Sequence, residues 1–279
     1  MNHSLTAMFR TLRPITASLP RTAQRPIQSQ KLTFTQIRNM SSPTLIKLNT
    51  GANIPAVGFG TWQDKDAQED AVLEALKAGY RHIDTAHVYG TEKAVGKAVK
   101  NSGVPRSEIF ITTKLWNNSH APEDVEPALD ASLRDLDTDY VNLYLIHWPS
   151  AFKPGDQLFP RDSNGKNIPA PEIDYVETWK AMEKVLKTGK TKAIGISNFS
   201  RKEVERVLEE GSIVPAAHQI ECHPWLQQKE FVTWQREKGI VIQHYSPFGN
   251  QNEVYDKGKQ YGKLMVRFSI VSDCLTCAY

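Results

Sequence analysis

Short apolar segments alternate with longer amphipathic segments between residues 43 and 262, and this alternation predicts the fold. The short segments are rich in β-branched and aromatic residues, which is typical of strands that are covered on both faces. They are AVGFGT (56–61), YRHIDTA (80–86), IFITTKLW (109–116), YVNLYLIHW (140–148), KAIGISNF (192–199), AAHQIEC (216–222) and IVIQHYSPF (240–248). The preceding segment, TLIKLNTGANIPAVG (44–58), predicts a β-hairpin.

The longer segments have a helical periodicity and recognisable ends. In SRKEVERVLEEG (200–211), Ser200 is the predicted N-cap, Glu203 completes a capping box and Gly211 ends the helix. Strands that alternate with helices predict a parallel sheet, and seven of them in series predict the lineage of the (β/α)8 TIM barrel, in the α/β class. An eighth strand is not recognisable in the sequence.

The composition changes at both ends of the chain. Residues 1–42 contain six of the 34 basic residues and none of the 31 acidic ones, so the rest of the chain carries a net charge of −3. An arginine-rich segment without acids is typical of a mitochondrial presequence. The alternatives are a disordered leader, or a start at Met40 that gives a cytoplasmic product. We therefore expect a leader (1–42), an incomplete barrel (43–262) and an aberrant tail (263–279).

Several classes of function are excluded by charge and pattern. The acidic main body does not favour nucleic-acid binding, and no apolar run reaches the length of a membrane span. His218 and His223 lie five residues apart, which places them on opposite faces of a strand, so we predict no metal site. The segment 149–174 contains five prolines and no periodicity, and it leaves the end of a predicted strand. We predict that it forms a lid over an active site.

Four polar residues of complementary chemistry lie at or just after the ends of predicted strands. They are Asp84, Tyr89, Lys114 and His147. In a barrel the carboxyl ends of all strands meet at one face. A lysine cation near a tyrosine hydroxyl lowers the pKa of the tyrosine, an aspartate balances the lysine, and a histidine can orient a carbonyl oxygen. The set therefore favours protonation of a developing alkoxide, as in carbonyl reduction.

Five motifs are distributed over residues 44–262: GYRHIDTAHVYGTEKAVG, ITTKLWN, DYVNLYLIHWP, KAIGISNFS and IECHPWLQQ. In these motifs the chain resembles the aldo-keto reductase family, in particular its fungal-type aldehyde and glycerol reductases. The resemblance implies a barrel that binds NADPH and transfers hydride to an aldehyde or ketone, or from a polyol in reverse, with Tyr89 as the proton donor. The implied cofactor-binding residues are Thr61, Ser197, Asn198, Gln219, Tyr245 and Ser246. Trp62, Trp116 and Trp148 are expected to line the substrate pocket.

The resemblance ends near Gly262, and this leaves a second interpretation open. The family has an eighth strand and a basic cluster for the adenosine 2′-phosphate where this sequence has LMVRFSIVSDCLTCAY (264–279). The alternative to an active reductase is therefore a truncated, non-catalytic barrel with an interaction or regulatory role, or a non-functional splice or gene-model product. For the folded reductase we expect a monomer that acts on a small carbonyl or polyol molecule and binds neither nucleic acid nor a membrane.

Overall fold

A sheet of seven parallel strands forms the centre of the computed structural model, which describes residues 43–63 and 65–249. Its strands are β3 (Phe59–Gly60), β4 (His82–Asp84), β5 (Phe110–Leu115), β6 (Leu143–Ile146), β7 (Ile194–Ser197), β8 (Ala217–Glu221) and β9 (Val241–Tyr245). They pair in chain order, from β3 to β9, and every pair is parallel. Each strand lies inside its predicted segment, so the predicted barrel of the α/β class is confirmed.

Six α-helices connect or follow these strands within the described residues. They are α1 (Gln68–Lys77), α2 (Glu92–Asn101), α3 (Val125–Leu136), α4 (Tyr175–Lys187), α5 (Arg201–Glu210) and α6 (Lys229–Glu237). Short 3-10 helices span Lys65–Ala67, His87–Tyr89, Arg106–Glu108 and Asn117–Ser119. The predicted capping box of α5 is present, because Ser200 and Glu203 each accept a hydrogen bond from the backbone of the other residue. None of the helices in the described part of the chain is long and apolar enough to span a bilayer.

The larger apolar core lies between the sheet and the helices. It includes Ile83, Ile111 and Tyr144 from the strands, and Leu129 and Trp179 from the helices, all of them almost completely buried. These outward-facing strand residues alternate with residues that point into the barrel, since side chains on a strand alternate between its two faces. The core therefore fixes which strand residues face the interior.

The predicted N-terminal hairpin is confirmed and closes one end of the barrel. Strands β1 (Leu45–Lys47) and β2 (Asn53–Pro55) pair antiparallel. Leu48 and Ile54 from this hairpin pack in a second core cluster with residues near the start of the parallel strands, such as Phe110 and Ala217. The barrel interior is thus sealed at its amino-terminal end, and its polar residues collect at the carboxyl ends of the strands. The predicted leader (1–42) and tail (263–279) lie outside the described residues.

Gly96 sets the distance between α2 and α3, and its replacement should destabilise the fold. A Cβ atom at Gly96 would lie 2.5 Å from the carbonyl oxygen of Leu136 and 3.0 Å from its Cα, and this backbone belongs to the packed helix α3. We expect Gly96→Ala to lower the free energy of unfolding by about 1–3 kcal/mol, because a tightly packed contact must be forced apart. Urea unfolding measures the effect. Lys97→Ala, one position further along the exposed side of α2, should change stability by no more than about 0.5 kcal/mol. Equal losses in the two variants would contradict this account.

Candidate active site

Four predicted catalytic residues meet at the carboxyl ends of three neighbouring strands. Asp84 is the last residue of β4, Lys114 lies near the end of β5, and His147 directly follows β6. Tyr89 ends the 3-10 helix His87–Tyr89, in the connection that leaves β4. The parallel register between adjacent strands brings these ends to the same level of the barrel.

A buried ion pair organises the tetrad. Lys114 Nζ donates to Asp84 Oδ1 at 2.6 Å, to the carbonyl oxygen of Thr85 at 2.9 Å and to the Tyr89 hydroxyl at 3.3 Å. The side chain of Lys114 is completely buried, and that of Asp84 is 14% exposed. These three acceptors match the three protons of the ammonium group. Lys114 therefore fixes the position of the Tyr89 oxygen relative to the Asp84 carboxylate.

The pKa of Tyr89 lies above its ordinary value, which corrects the sequence-based expectation. Burial of the phenol raises its pKa, and the nearby Lys114 cation lowers it without offsetting the burial. The pKa of Lys114 is also raised overall. Burial lowers it, but the attraction of Asp84 and the contact with Tyr89 outweigh that effect. At neutral pH the lysine is thus charged and the tyrosine keeps its proton, the state required of a proton donor.

His147 is placed as a neutral histidine beside Tyr89. The centroids of its ring and the Tyr89 ring are 5.6 Å apart. Burial, followed by repulsion from Lys114, holds the pKa of His147 well below its usual range. Its buried Nδ1 atom has no hydrogen-bond partner among the described residues. A neutral imidazole at this position can hydrogen-bond to a small polar molecule placed against Tyr89.

Three of the predicted cofactor residues form one hydrogen-bonded group next to the tetrad. Asn198 Nδ2 donates to the carbonyl oxygen of His147 and to Ser197 Oγ, each at 3.0 Å. The Tyr245 hydroxyl donates to Asn198 Oδ1 at 2.9 Å. Asn198 adopts a left-handed backbone conformation, with φ of 64°. Asparagine is among the few residues other than glycine that tolerate the left-handed region. This backbone conformation directs the Asn198 amide towards His147 and Tyr245.

The remaining predicted cofactor residues have different surroundings. Gln219 Nε2 donates to Asp84 Oδ2 at 2.7 Å, so this residue contacts the tetrad directly. The Thr61 hydroxyl is fully buried and shares a hydrogen bond with Thr91, at 3.1 Å, while its backbone N–H donates to the carbonyl oxygen of Asp84. Thr61 therefore supports the end of β4 through its backbone. Ser246 follows β9 in a left-handed conformation, with φ of 50°.

Two of the three predicted pocket tryptophans flank the tetrad. The ring centroids of Trp62 and Tyr89 are 4.8 Å apart, and those of Trp116 and His147 are 5.1 Å apart. Trp62 is 55% exposed, whereas Trp116 is only 8% exposed. Trp148 is 39% exposed, next to His147 in the chain. Trp62 and Trp116 therefore form apolar walls on two sides of the polar centre.

The proline-rich segment 149–174 packs against the residues that follow β5. The Trp116 indole N–H donates to the carbonyl oxygen of Leu158 at 2.6 Å, and Asn118 Nδ2 donates to the carbonyl oxygen of Gly155 at 2.7 Å. A cavity of about 220 Å³ lies beneath this segment, between the end of β5 and α3, and its lining includes Leu115, Ala128 and Tyr144. The segment thus covers one side of the site through Trp116, and its role as a lid remains a prediction.

Gln243 is a polar contact of the tetrad that the sequence-based analysis missed. Its Nε2 atom donates to Asp84 Oδ2 at 3.0 Å. One sequence signal could have placed it on the inward face: Gln243 lies two positions before Tyr245 on the same strand, so both side chains point to the same face. In the structure it also stands directly opposite Gln219 in the parallel ladder.

Most of the chain is similar to known proteins. The family model described as "Aldo/keto reductase family" matches residues 56–265. Aldo-keto reductase family 1 member A1 of Xenopus tropicalis is 48% identical over 75% of this chain and 66% of its own length. D/L-glyceraldehyde reductase of Hypocrea jecorina is 48% identical over 77% of this chain and 66% of its own length. The chain thus spans a little less than two thirds of these two relatives. The structure of the aldose reductase from Schistosoma japonicum matches with a TM-score of 0.71 and 39% identity, over 73% of this chain and 69% of that one.

Proposed function

The chain belongs to the aldo/keto reductase family, and from this premise we propose that it is an NADPH-dependent oxidoreductase that reduces the carbonyl group of an aldehyde or ketone. The reverse reaction would oxidise a polyol. The single observation that carries the proposal is the arrangement of Lys114, with its Nζ atom 2.6 Å from Asp84 and 3.3 Å from the Tyr89 hydroxyl. The similarity to the D/L-glyceraldehyde reductase of Hypocrea jecorina supports an aldehyde as the substrate.

In this proposal Tyr89 is the general acid. When bound, the cofactor supplies a hydride to the carbonyl carbon. Tyr89 then gives its proton to the carbonyl oxygen, and the Lys114 cation stabilises the tyrosinate that remains. Asp84 keeps Lys114 charged within the buried site. His147, neutral and adjacent to Tyr89, would hold the carbonyl oxygen at the hydroxyl by a hydrogen bond.

The residues around Asn198 fit a nicotinamide carboxamide, which has both a donor and an acceptor group. The hydroxyl of Ser197 and the amides of Asn198 and Gln219 offer donors and acceptors at the edge of the tetrad. The Tyr245 ring would stack on the nicotinamide, with its hydroxyl anchored by Asn198. The preference for NADPH over NADH is part of the proposal and rests on the family resemblance.

The pH dependence of turnover should report the raised pKa of Tyr89 and the lowered pKa of His147. Reduction needs a protonated tyrosine, and a pKa above the ordinary 10.0 keeps the proton in place at alkaline pH. It also needs a neutral histidine, which a lowered pKa provides in mildly acidic solution. We therefore expect kcat/KM for reduction to stay constant from about pH 6.5 to about pH 9.5. A decline that begins between about pH 7 and pH 8 would show that another group is the acid.

Titration of the full-length protein with NADPH, followed by tryptophan fluorescence, tests the proposal most directly. Trp62 and Trp116 lie within 5.1 Å, centroid to centroid, of tetrad rings, so cofactor at the site should quench them. We expect saturable quenching, and oxidation of NADPH at 340 nm when a small aldehyde is added. A matched titration with NADH measures the cofactor preference. Soluble, folded protein that shows neither quenching nor turnover would refute the reductase proposal and favour the non-catalytic alternative.

A further inference from the structure

Asp84 is held by two glutamine amides in addition to Lys114. Its Oδ1 atom accepts from Lys114 Nζ at 2.6 Å, while its Oδ2 atom accepts from Gln219 Nε2 at 2.7 Å and from Gln243 Nε2 at 3.0 Å. The two glutamines come from adjacent strands, β8 and β9, and stand opposite each other in the register. One carboxylate oxygen therefore faces the catalytic lysine, and the other is shared by two neutral donors.

The contact with Asp84 decides how the Gln243 side chain is oriented. A flipped amide would place Gln243 Oε1 against Asp84 Oδ2, and two acceptors repel each other. With Nε2 towards Asp84, the buried Oε1 atom has no hydrogen-bond partner in the part of the chain that the structure describes. An unmade hydrogen bond of a buried amide is costly. Gln243 thus donates to the carboxylate with Nε2, although this orientation leaves its own Oε1 atom without a hydrogen bond among the described residues.

We infer that Gln243 is a positioning residue for the proposed carbonyl reduction, and that it holds the Asp84 carboxylate in place when Gln219 engages the cofactor. The inference rests on the proposed function. Of the two glutamines, only Gln219 is also proposed to bind the nicotinamide carboxamide. When the Gln219 side chain turns towards that group, its hydrogen bond to Asp84 Oδ2 weakens. Gln243 then remains as the donor to Oδ2, so that Oδ1 continues to face Lys114.

Loss of the Gln243 donor should change the pKa of Tyr89. Burial raises the pKa of Tyr89, Lys114 lowers it and Asp84 raises it. The two histidines near the carboxylate are neutral: His147 has a pKa well below its usual range, and His82, two positions before Asp84 on β4, has a pKa lowered to about 4 by burial. Removing an amide from Asp84 leaves more of its negative charge uncompensated. The pKa of Tyr89 should therefore rise, and its proton becomes harder to give away.

Two variants of similar length to glutamine separate the donor from the side-chain bulk. Gln243→Met removes the donor, and Gln243→Glu replaces it by an acceptor with a negative charge. We expect Gln243→Met to lower kcat by about tenfold and to move the alkaline limb of the pH profile up by about half a pH unit. Gln243→Glu should move both quantities further. The dissociation constant for NADPH should change by no more than about twofold in Gln243→Met, whereas Gln219→Met should weaken NADPH binding itself.

A control and a second readout keep the inference testable. His244→Gln, on the outward face of the same strand, should leave kcat and the pH profile unchanged. A fall in kcat for Gln243→Met without any shift of the alkaline limb of the pH profile would reduce Gln243 to a packing role.

Crystal structures provide a second readout that does not depend on activity. If the wild-type protein turns over no carbonyl compound, the proposed function fails, and structures of Gln243→Met and of the Gln219→Met/Gln243→Met double variant still decide the positioning role. We expect Asp84 Oδ1 to keep its contact with Lys114 in the single variant and to rotate away in the double one. An unrotated carboxylate in the double variant would overturn the inference.

Discussion

Tyr89→Phe should abolish most of the carbonyl reduction, with a fall in kcat of about 10³-fold, while the protein still binds NADPH. The substitution removes only the hydroxyl, whose oxygen lies 3.3 Å from Lys114 Nζ. The ring remains, so its contacts with Trp62 and His147 are preserved. Because the proton source disappears but the walls of the site do not, kcat should fall far more than the affinity for the cofactor. Steady-state turnover and the fluorescence titration, made on the same preparation, measure the two quantities.

Tyr80→Phe provides the matched control for this substitution. Tyr80 makes an edge-on ring contact with Phe59, away from the tetrad, and the same atom is removed. Its turnover should equal that of the wild type. Full turnover in Tyr89→Phe would mean that another group donates the proton, and the tetrad would then have to be reassigned.

Lys114→Met should lower both stability and turnover by large amounts. The substitution leaves the Asp84 carboxylate partly buried without its cation, although the amides of Gln219 and Gln243 still reach it. Removal of one partner of a buried ion pair costs about 3–5 kcal/mol, so we expect a loss of this size in the free energy of unfolding. Turnover should fall by about 10³-fold, since no charge remains to stabilise the tyrosinate.

The double variant Lys114→Met/Asp84→Asn distinguishes a broken ion pair from simple loss of packing. An asparagine carries no charge that needs compensation, so the double variant should recover a large part of the stability lost in Lys114→Met. Its turnover should stay as low as that of the single variant. Urea unfolding of the wild type, of Lys114→Met, of Asp84→Asn and of the double variant gives the coupling between the two positions. A loss in the double variant equal to the sum of the two single losses would show that the two charges are not coupled in the folded protein.

Local sequence patterns were sufficient to predict the strands and most of the site. The strands of the barrel are short apolar segments bounded by helices with clear ends, and this information is contained in neighbouring residues. Once the strands are placed in chain order, Asp84, Lys114 and His147 must come to the same end of a parallel barrel. Tyr89, five positions after Asp84 in the following connection, completes the set by its chemistry, and the resemblance to one family then implied its role as the proton donor.

Other features depended on atoms that are distant in the chain. The shift in the pKa of Tyr89 was predicted to be downward from Lys114 alone, but the pKa is raised. Burial of the phenol outweighs the effect of the lysine, and this burial depends on all the residues that pack around the ring. Gln243 was missed because its role exists only through a hydrogen bond to Asp84, 159 positions earlier in the chain. The hydrogen bond between the side chains of Thr61 and Thr91 likewise joins residues that are distant in the chain.

The order of the strands, the family and the four residues proposed for catalysis can thus be inferred from the sequence, because they follow from periodicity and from motifs that are local in the chain. Which carboxylate oxygen faces Lys114, why Tyr89 holds its proton and which amides hold Asp84 become apparent only in the folded chain. Those properties depend on burial and on hydrogen bonds of about 3 Å between side chains from different strands. Neither is encoded by the spacing of residues along one segment.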